Sequence, residues 1–113
     1  MKSNKKLIQG NLESLVLKMI QDNGEMYAYE IIQTAQKITR NKINITEGAL
    51  YPLLHKLEEK NILEIEIRSI GNRKRKYYKL TETGKKETQK QLHALREFIE
   101  TMQIFLKPKY KPI

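Results

Sequence analysis

Residues 46–60, TEGALYPLLHKLEEK, combine a regular apolar stripe with an opposite face of unusual composition. Leucines recur at steps of three and four residues, which places them on one side of an α-helix that faces a core: Leu50, Leu53, Leu54 and Leu57. The opposite side carries small, aromatic and basic residues: Gly48, Tyr51, Pro52, His55 and Lys56. This face is typical of a contact surface, although the plainer interpretation is a core helix that happens to contain a proline.

The start of this helix is specified by local sequence. Thr46 is a good N-cap residue, and Glu47 places negative charge at the positive end of the helix dipole. Pro52 lies beyond the first turn, so it should remove one backbone hydrogen bond and crowd the carbonyl of Gly48. We interpret Gly48 as a residue that relieves this crowding.

The size and composition of the chain exclude several classes of protein. Its 113 residues suffice for one small domain, and the absence of cysteine excludes a disulfide scaffold, a thiolate metal site and cysteine catalysis. No apolar run approaches the roughly 20 residues that cross a bilayer, and the N-terminus lacks the apolar segment of a signal peptide. We therefore expect a soluble, cytoplasmic protein with no membrane partner.

The net charge of +9 is concentrated in one part of the chain. No acidic residue lies between Glu66 and Glu82, a stretch that contains Arg68, Arg73, Lys74, Arg75, Lys76 and Lys79. A patch of one sign suits the phosphates of nucleic acid or of an anionic membrane surface, although charged faces are often only solvated.

Two further helices precede the one described above. Residues 1–6 are predicted to be a disordered basic arm, and a first helix begins between residues 7 and 11 and ends before Gly24. Its apolar residues have helical spacing: Leu12, Leu15, Val16, Met19 and Ile20. A second helix, over residues 27–38, has a buried side formed by Ala28, Ile31, Ile32, Ala35 and Ile38. Residues 43–45 alternate and predict a very short strand.

Two tyrosines, Tyr27 and Tyr29, lie at the start of the second helix. We favour ordinary packing for both side chains. The alternative is that their phenolic hydroxyls reach a phosphate.

A β-hairpin and a long helix complete the chain. Leu63, Ile65 and Ile67 alternate with charged residues as in a half-buried strand, and the return strand covers residues 76–80. The tip between them, residues 71–75, is predicted to be flexible and cationic. The last helix covers residues 82–106, and a disordered basic tail follows at 107–113.

The last helix carries apolar residues at a mean spacing of about 3.5 residues, which is typical of a coiled-coil seam. The seam residues are Leu92, Leu95, Phe98, Ile99, Met102, Phe105 and Leu106. A helix of this length has too little domain beside it to cover the whole stripe, so we expect it to pair with a second copy.

The order of elements predicts a mostly helical fold with a small β-hairpin: a winged helix-turn-helix at residues 7–80, followed by a C-terminal dimerisation helix at 81–106. In a winged helix-turn-helix the third helix enters the major groove of DNA and the hairpin reaches the flanking backbone or minor groove. The helix with the unusual face and the cationic hairpin are adjacent in this chain, as that arrangement requires.

Three blocks of this sequence resemble the PadR family of bacterial transcriptional regulators. They are Tyr29-Glu30-Ile31; Gly48-Ala49-Leu50-Tyr51-Pro52 with Leu54, Leu57 and Glu58; and Arg75-Lys76-Tyr77-Tyr78 with Leu80-Thr81 and Gly84. The resemblance extends from about residue 12 into the last helix. Two departures are visible: Ala28 stands where the family usually has glycine, and His55-Lys56 stand where an arginine is common.

The resemblance implies a homodimer, paired through the last helix, that binds a roughly palindromic operator as a repressor and that a small molecule can release. The single terminal helix is similar to the short branch of the family. Some short members bind flat aromatic drugs between tryptophans, and this chain has no tryptophan. Phe98, Met102 and Phe105 could line a smaller pocket for a hydrophobic effector, but we favour the dimer core for them.

These considerations assign roles to ten candidate DNA-binding residues. Tyr51 and His55 are predicted to face base edges, with Pro52 beside them. Thr46 and Gly48 should bring backbone amides close to a phosphate, and Lys56 should bind phosphate. Sequence-independent affinity for phosphates is assigned to the wing residues Arg73, Lys74, Arg75 and Lys76.

Two other classes of function compete with this interpretation. An enzyme is disfavoured, because the histidines His55 and His93 lie on separate helices and the sequence has neither a phosphate-binding glycine loop nor metal-ligand spacing. We expect no cofactor. The alternative to operator binding is a winged module that binds RNA or a protein partner, which needs neither the seam nor a base-reading helix face.

Overall fold

The computed structural model describes residues 5–109 and 111–112, and within them five helices and three strands follow one another. In chain order these are α1 (Lys5–Gly10), α2 (Leu12–Asn23), β1 (Glu25–Met26), α3 (Ala28–Ile38), α4 (Glu47–Glu59), β2 (Leu63–Ile70), β3 (Arg73–Leu80) and α5 (Glu82–Leu106). The predicted fold class is confirmed, because the chain is mostly helical, with a small antiparallel sheet and a long C-terminal helix.

The N-terminal region differs from its prediction. Lys5 and Lys6, assigned to a disordered arm, lie in α1, and residues 1–4 of that arm lie outside the described residues. The predicted first helix is divided at Asn11, whose side-chain amide donates a hydrogen bond of 2.8 Å to the carbonyl of Leu7. This bond satisfies a carbonyl at the end of α1 that would otherwise lack a partner.

The helix that carries the leucine stripe, α4, begins and ends where its local sequence predicts. The hydroxyl of Thr46 accepts a hydrogen bond of 3.2 Å from the amide of Ala49, which caps the helix start. At the other end Asn61 adopts a φ of 60°, and the amide of Ile62 donates to the carbonyl of Leu57. The helix continues through Pro52.

The segment between α3 and α4 does not contain the predicted strand. Residues 39–46 are all described and have neither helix nor strand. Arg40 and Asn41 have φ values of 52° and 66°, so the chain turns sharply after α3. Ile45 is buried and Ile43 is partly buried, so their alternation reflects packing of a loop on the core.

The third strand of the sheet is instead β1, before α3. The strand order is β1-β3-β2, with every pair antiparallel. Gly24, with a φ of 82°, ends α2 and turns the chain so that Met26 pairs with Tyr78. A strand of two residues is too short to show an alternation of apolar and polar residues in the sequence. It is recognised only by its pairing with β3.

The wing, formed by β2 and β3, is longer than predicted and has a shorter tip. Pairing runs from Leu63 opposite Leu80 to Ile70 opposite Arg73, which leaves Gly71 and Asn72 as the turn. Gly71 has a φ of 61°, the conformation required at the first central position of a type II′ hairpin turn. Residues 73–75 of the predicted flexible tip therefore belong to β3.

The core lies between α2, α3, α4 and the base of the sheet. Its fully buried side chains include Val16, Leu17, Ile20, Met26, Ile31, Leu50, Leu54, Leu57 and Leu63. Leu53 is partly buried, so the predicted stripe of α4 is confirmed. Ile38 differs from its prediction: it lies in the last turn of α3 and is exposed.

The start of α5 is attached to the end of α4. Thr81 caps α5 by accepting a hydrogen bond of 2.9 Å from the amide of Gly84, and its hydroxyl donates to the carbonyl of Asn61 at 2.6 Å. A Cβ atom on Gly84 would lie 2.0 Å from the carbonyl oxygen of Ile62. Only glycine permits this close approach. Within the described residues, no helix is long and apolar enough to cross a membrane.

Candidate nucleic-acid interface

The outward face of α4 is open, as its composition suggests. Gly48, Tyr51, Pro52 and His55 are all exposed on it. The carboxylate of Glu59 lies 3.3 Å from the His55 imidazole, and both side chains are largely exposed. The face therefore offers an aromatic ring, an imidazole and a bare backbone turn to a partner.

Gly48 has no steric reason to be glycine within the described chain. A Cβ atom built on it meets nothing within 4 Å outside the local helix backbone. The predicted relief of crowding between Pro52 and the Gly48 carbonyl concerns the backbone and stays a prediction. Gly48 is exposed in the first turn of α4, where backbone amides have no helical partner. A residue without a side chain there leaves those amides accessible to a ligand such as a phosphate.

The start of α3, the exposed face of α4 and the wing enclose one groove of about 540 Å³. Its lining comes from three separate stretches of sequence: Tyr27, Ala28, Tyr29, Tyr51, Arg73, Lys74, Arg75, Lys76 and Tyr78. Four cations and four tyrosines thus surround one concave surface. We call it the tyrosine groove.

Burial raises the pKa of Tyr78 above its usual value, and the Glu58 carboxylate and Tyr51 add to this effect. Tyr78 therefore stays neutral in the floor of the groove under ordinary conditions. The charge of the groove lining is set by the basic residues of β3.

The basic residues of the wing divide into paired and unpaired groups. Arg68 forms ion pairs with both Glu25 and Glu66, and hydrogen bonds to these two carboxylates raise the pKa of Arg68. In the described part of the chain, no ion pair involves a basic residue of the β3 segment: Arg73, Lys74, Arg75 or Lys76. These four unpaired cations all line the groove.

Aromatic rings hold two of the arginines on the outer face of the wing. The guanidinium of Arg68 lies 4.3 Å from the ring centroid of Tyr77, and that of Arg75 lies 4.4 Å from the ring centroid of Tyr27. The two tyrosines meet edge to face, with centroids 5.5 Å apart and ring planes at 77°. We call this set the wing stack.

The stack residues come from the N-cap of α3, from β2 and from β3. Sequence reasoning did not bring Arg68, Tyr27 and Tyr77 together, because their contacts cross strands that are distant in sequence. Tyr27 packs, as favoured, but on an arginine as well as a ring. Tyr29 is exposed beside the groove, which supports the alternative of a ligand contact for its hydroxyl.

Lys56 differs from the other residues of the α4 face. Its ammonium lies 3.8 Å from Glu13 in α2, and Glu13 accepts a hydrogen bond of 2.5 Å from Gln91 in α5. Lys56 therefore lies on the side of α4 toward α2 and α5 and is not part of the tyrosine groove lining. Its side chain remains about half exposed, so phosphate must compete with Glu13 for it.

The seam residues on α5 fall into two groups. Leu92 is only 7 % exposed, so it is already covered by this chain and is not available to a second copy. Leu95 and Met102 are partly covered. The remaining seam residues are exposed on the distal half of the helix: Phe98, Ile99, Phe105 and Leu106.

Comparison with known proteins finds relatives along most of the chain. The family model described as "Transcriptional regulator PadR-like family" matches residues 16–90. An uncharacterised protein of Lysinibacillus sphaericus is 32% identical over 101 residues, which cover 88% of this chain and 92% of that relative.

Two solved structures extend the comparison. A PadR-like transcriptional regulator of Bacillus cereus superposes with a TM-score of 0.78 at 25% identity, covering 92% of this chain and 99% of that one. Bacillus subtilis PadR in complex with operator DNA superposes with a TM-score of 0.65 at 21% identity, over 90% of this chain and 49% of that one. The second likeness is one of fold.

Proposed function

The chain belongs to the PadR-like family of transcriptional regulators, and we propose that it is a repressor that binds a roughly palindromic operator in double-stranded DNA as a homodimer. In this proposal α4 enters the major groove, where Tyr51 and His55 face base edges. The wing follows the flanking backbone and holds phosphates with its unpaired cations. Glu47 and Glu59 lie at the two ends of the exposed face of α4. Their negative charges disfavour binding of α4 to DNA by electrostatic attraction alone.

The tyrosine groove is the observation that carries this proposal. Tyr51 of the base-reading helix and residues 73–76 of the wing line the same concave surface, although more than twenty residues separate them in sequence. A duplex that places bases against α4 therefore brings its backbone to the wing cations. Bacillus subtilis PadR, which shares this fold, has been solved in complex with operator DNA, and this supports DNA as the ligand of the groove.

The distal half of α5 supports pairing of two copies. Helix α5 has 25 residues, and beyond Leu92 none of them is buried. A continuous stripe of exposed phenylalanine, isoleucine and leucine is unfavourable in water unless another surface covers it. A second α5 offers a matching stripe, and a two-fold dimer presents two α4 helices to two half-sites about 34 Å apart.

Repression and release follow from the same arrangement. A dimer bound over a promoter blocks it for as long as both α4 helices stay in register with successive major grooves. We place Phe98, Met102 and Phe105 in the dimer core, so a small hydrophobic effector that reached them would disturb the spacing of the two α4 helices. Operator affinity would then fall.

Selection of preferred sites from a random double-stranded DNA library tests this function wherever the operator lies in the genome. We expect enrichment of a two-fold symmetric site, bound by one dimer about a thousandfold or more tightly than random DNA. The half-sites should be about one helical turn, or a multiple of it, apart. Failure to enrich any sequence would contradict operator binding.

The same assay separates the alternative function. Double-stranded RNA has a deep, narrow major groove that a helix cannot enter, so an RNA duplex of the selected sequence should compete weakly. Competition by RNA as effective as by the selected DNA would favour the RNA-binding module instead.

A further inference from the structure

We propose that Tyr27 is a positioning residue for Arg75, which it holds ready to bind a backbone phosphate at the edge of the tyrosine groove. The inference rests on the proposed function for its ligand, a phosphate of duplex DNA. Tyr27 makes no direct contact with DNA. The arginine that lies on its ring makes that contact.

Two arginines on one face of the wing differ in their ion pairs. Arg68 and Arg75 are directly opposite one another in the β2–β3 ladder, so their side chains project from the same face of the sheet. Arg68 is neutralised by Glu25 and Glu66. Among the described residues Arg75 has no carboxylate partner, so of the two it is the one whose charge remains for a phosphate.

The contact with Tyr27 leaves the donor edge of the Arg75 guanidinium accessible. Arg75 lies over Tyr27 with its central carbon 4.4 Å from the ring centroid, so the ring contacts the flat face of the cation. The N–H donors of arginine lie in the plane of the guanidinium and stay available at its edge. Two of them can meet two phosphate oxygens in the bidentate arrangement that arginine favours.

Tyr27 is itself anchored to the body of the domain. Its backbone follows β1 and caps α3, where its amide donates a hydrogen bond of 3.3 Å to the Glu30 carboxylate. Its ring is held edge to face by Tyr77, which in turn lies under Arg68. The wing stack therefore connects Arg75 to the body of the domain. A long side chain held in this way loses less freedom when it binds phosphate than one that moves freely.

The experiment is a double-mutant cycle on DNA affinity, measured by anisotropy with the selected operator and with a random duplex. Tyr27→Leu should weaken binding to both by roughly two- to fivefold, as expected when one cation–π contact is lost. Tyr27→Phe keeps the ring and should bind as the wild type does. Tyr27→Leu combined with Arg75→Ala should bind no more weakly than Arg75→Ala alone, because the ring then has no arginine to position.

A readout in the free protein makes the test independent of DNA. Side-chain proton resonances of Arg75 should carry a ring-current shift that Tyr27→Leu removes and Tyr27→Phe retains. Thermal unfolding of each variant shows that the fold is intact.

Two outcomes would overturn the proposal. Tyr27→Leu could weaken binding by the same factor with and without Arg75, which would assign Tyr27 a separate role. Alternatively, Tyr27→Phe could weaken binding as much as Tyr27→Leu does, which would assign the contact to the hydroxyl.

If the wild type bound no duplex while the ring-current shift was present, the DNA-binding function would fail and the contact between ring and arginine would stand.

Discussion

Gly48 and Gly84 both lie in the first turn of a helix, yet their surroundings differ completely. A side chain on Gly84 would collide with the carbonyl of Ile62, so this glycine allows α5 to pack against the end of α4. A side chain on Gly48 would point into open space. One glycine is required by the fold, and the other is best explained by an external partner.

Replacing each glycine by alanine should therefore have opposite effects on stability. Gly84→Ala should lower the free energy of unfolding by about 1–3 kcal/mol, because a buried contact is overpacked. Gly48→Ala should raise the free energy of unfolding by about 0.5–1 kcal/mol, because alanine favours the helix. The same variant should weaken operator binding by roughly tenfold, or about 1.4 kcal/mol. Urea unfolding at one protein concentration and DNA titration check these values. Unchanged operator affinity for Gly48→Ala would remove Gly48 from the interface.

Tyr78 predicts a specific loss of stability at alkaline pH. Burial raises the pKa of Tyr78 in the folded protein, so above pH of about 10 the unfolded chain ionises this phenol before the folded chain does. The stabilisation from neutral Tyr78 is complete below that pH and declines as the pH rises through the unfolded-state pKa. Tyr78→Phe should thus lose less stability than the wild type between pH 8 and about pH 10.5. Equal losses in urea unfolding would contradict a raised pKa.

Among the elements, those with local start and stop signals were predictable from sequence. Helix α5 covers Glu82–Leu106 as predicted, because Thr81 caps it and Pro108 prevents its continuation. Strand β1 was missed, because its two residues are defined only by pairing with β3. Leu17 was missed as a core residue because α2 contacts α3, α5 and the sheet, so more than one of its faces is buried.

The candidate site was predictable by composition but not by contact. The exposed face of α4 and the wing cations could be identified because each is a local cluster in the sequence. The pairing of Arg68 with Glu25, and of Lys56 with Glu13, joins residues from different elements. Such pairs decide which cations remain free, and no periodicity in the sequence indicates them.

The wing element yields a prediction with an internal control. Lys74→Ala should reduce the slope of log affinity against log salt by about 0.9, because one phosphate contact is lost. Lys79→Ala removes the same charge from the same strand, but Lys79 lies opposite Glu25 and Glu64 in the strand register and is not part of the groove lining. The slope of log affinity against log salt for Lys79→Ala should equal that of the wild type. Equal reductions for both variants would mean that the wing acts only through net charge.

The molecule as a whole is elongated, with extents of 68 × 31 × 21 Å. Its proposed reading surface is formed by α3, α4 and the wing, and a continuous stripe of exposed apolar residues lies on the distal half of α5. Polar contacts from Gln91 of α5 through Glu13 of α2 to Lys56 of α4 hold the proximal half of α5 against the side of α4 that faces away from the groove. Pairing through α5 would therefore set the separation of two reading surfaces.

A charge on the distal half of α5 should separate the two copies. Ile99→Asp should give a monomer in sedimentation experiments, because a carboxylate would be buried in the paired seam without a partner. Ile38→Asp is the matched control: Ile38 is 69 % exposed and lies on α3, away from the seam, so this variant should stay dimeric. A dimer that persists in Ile99→Asp would show that α5 does not pair in this way.

The central claim is that α4 reads sequence while the wing supplies affinity, and the ratio of operator affinity to random-DNA affinity tests it most directly. His55→Ala should lower this ratio, at a cost of about 1–3 kcal/mol for the operator alone. Lys74→Ala should weaken binding to both duplexes by the same factor and leave the ratio unchanged. If His55→Ala left the ratio unchanged, or if Lys74→Ala altered it, the division of roles between helix and wing would be contradicted.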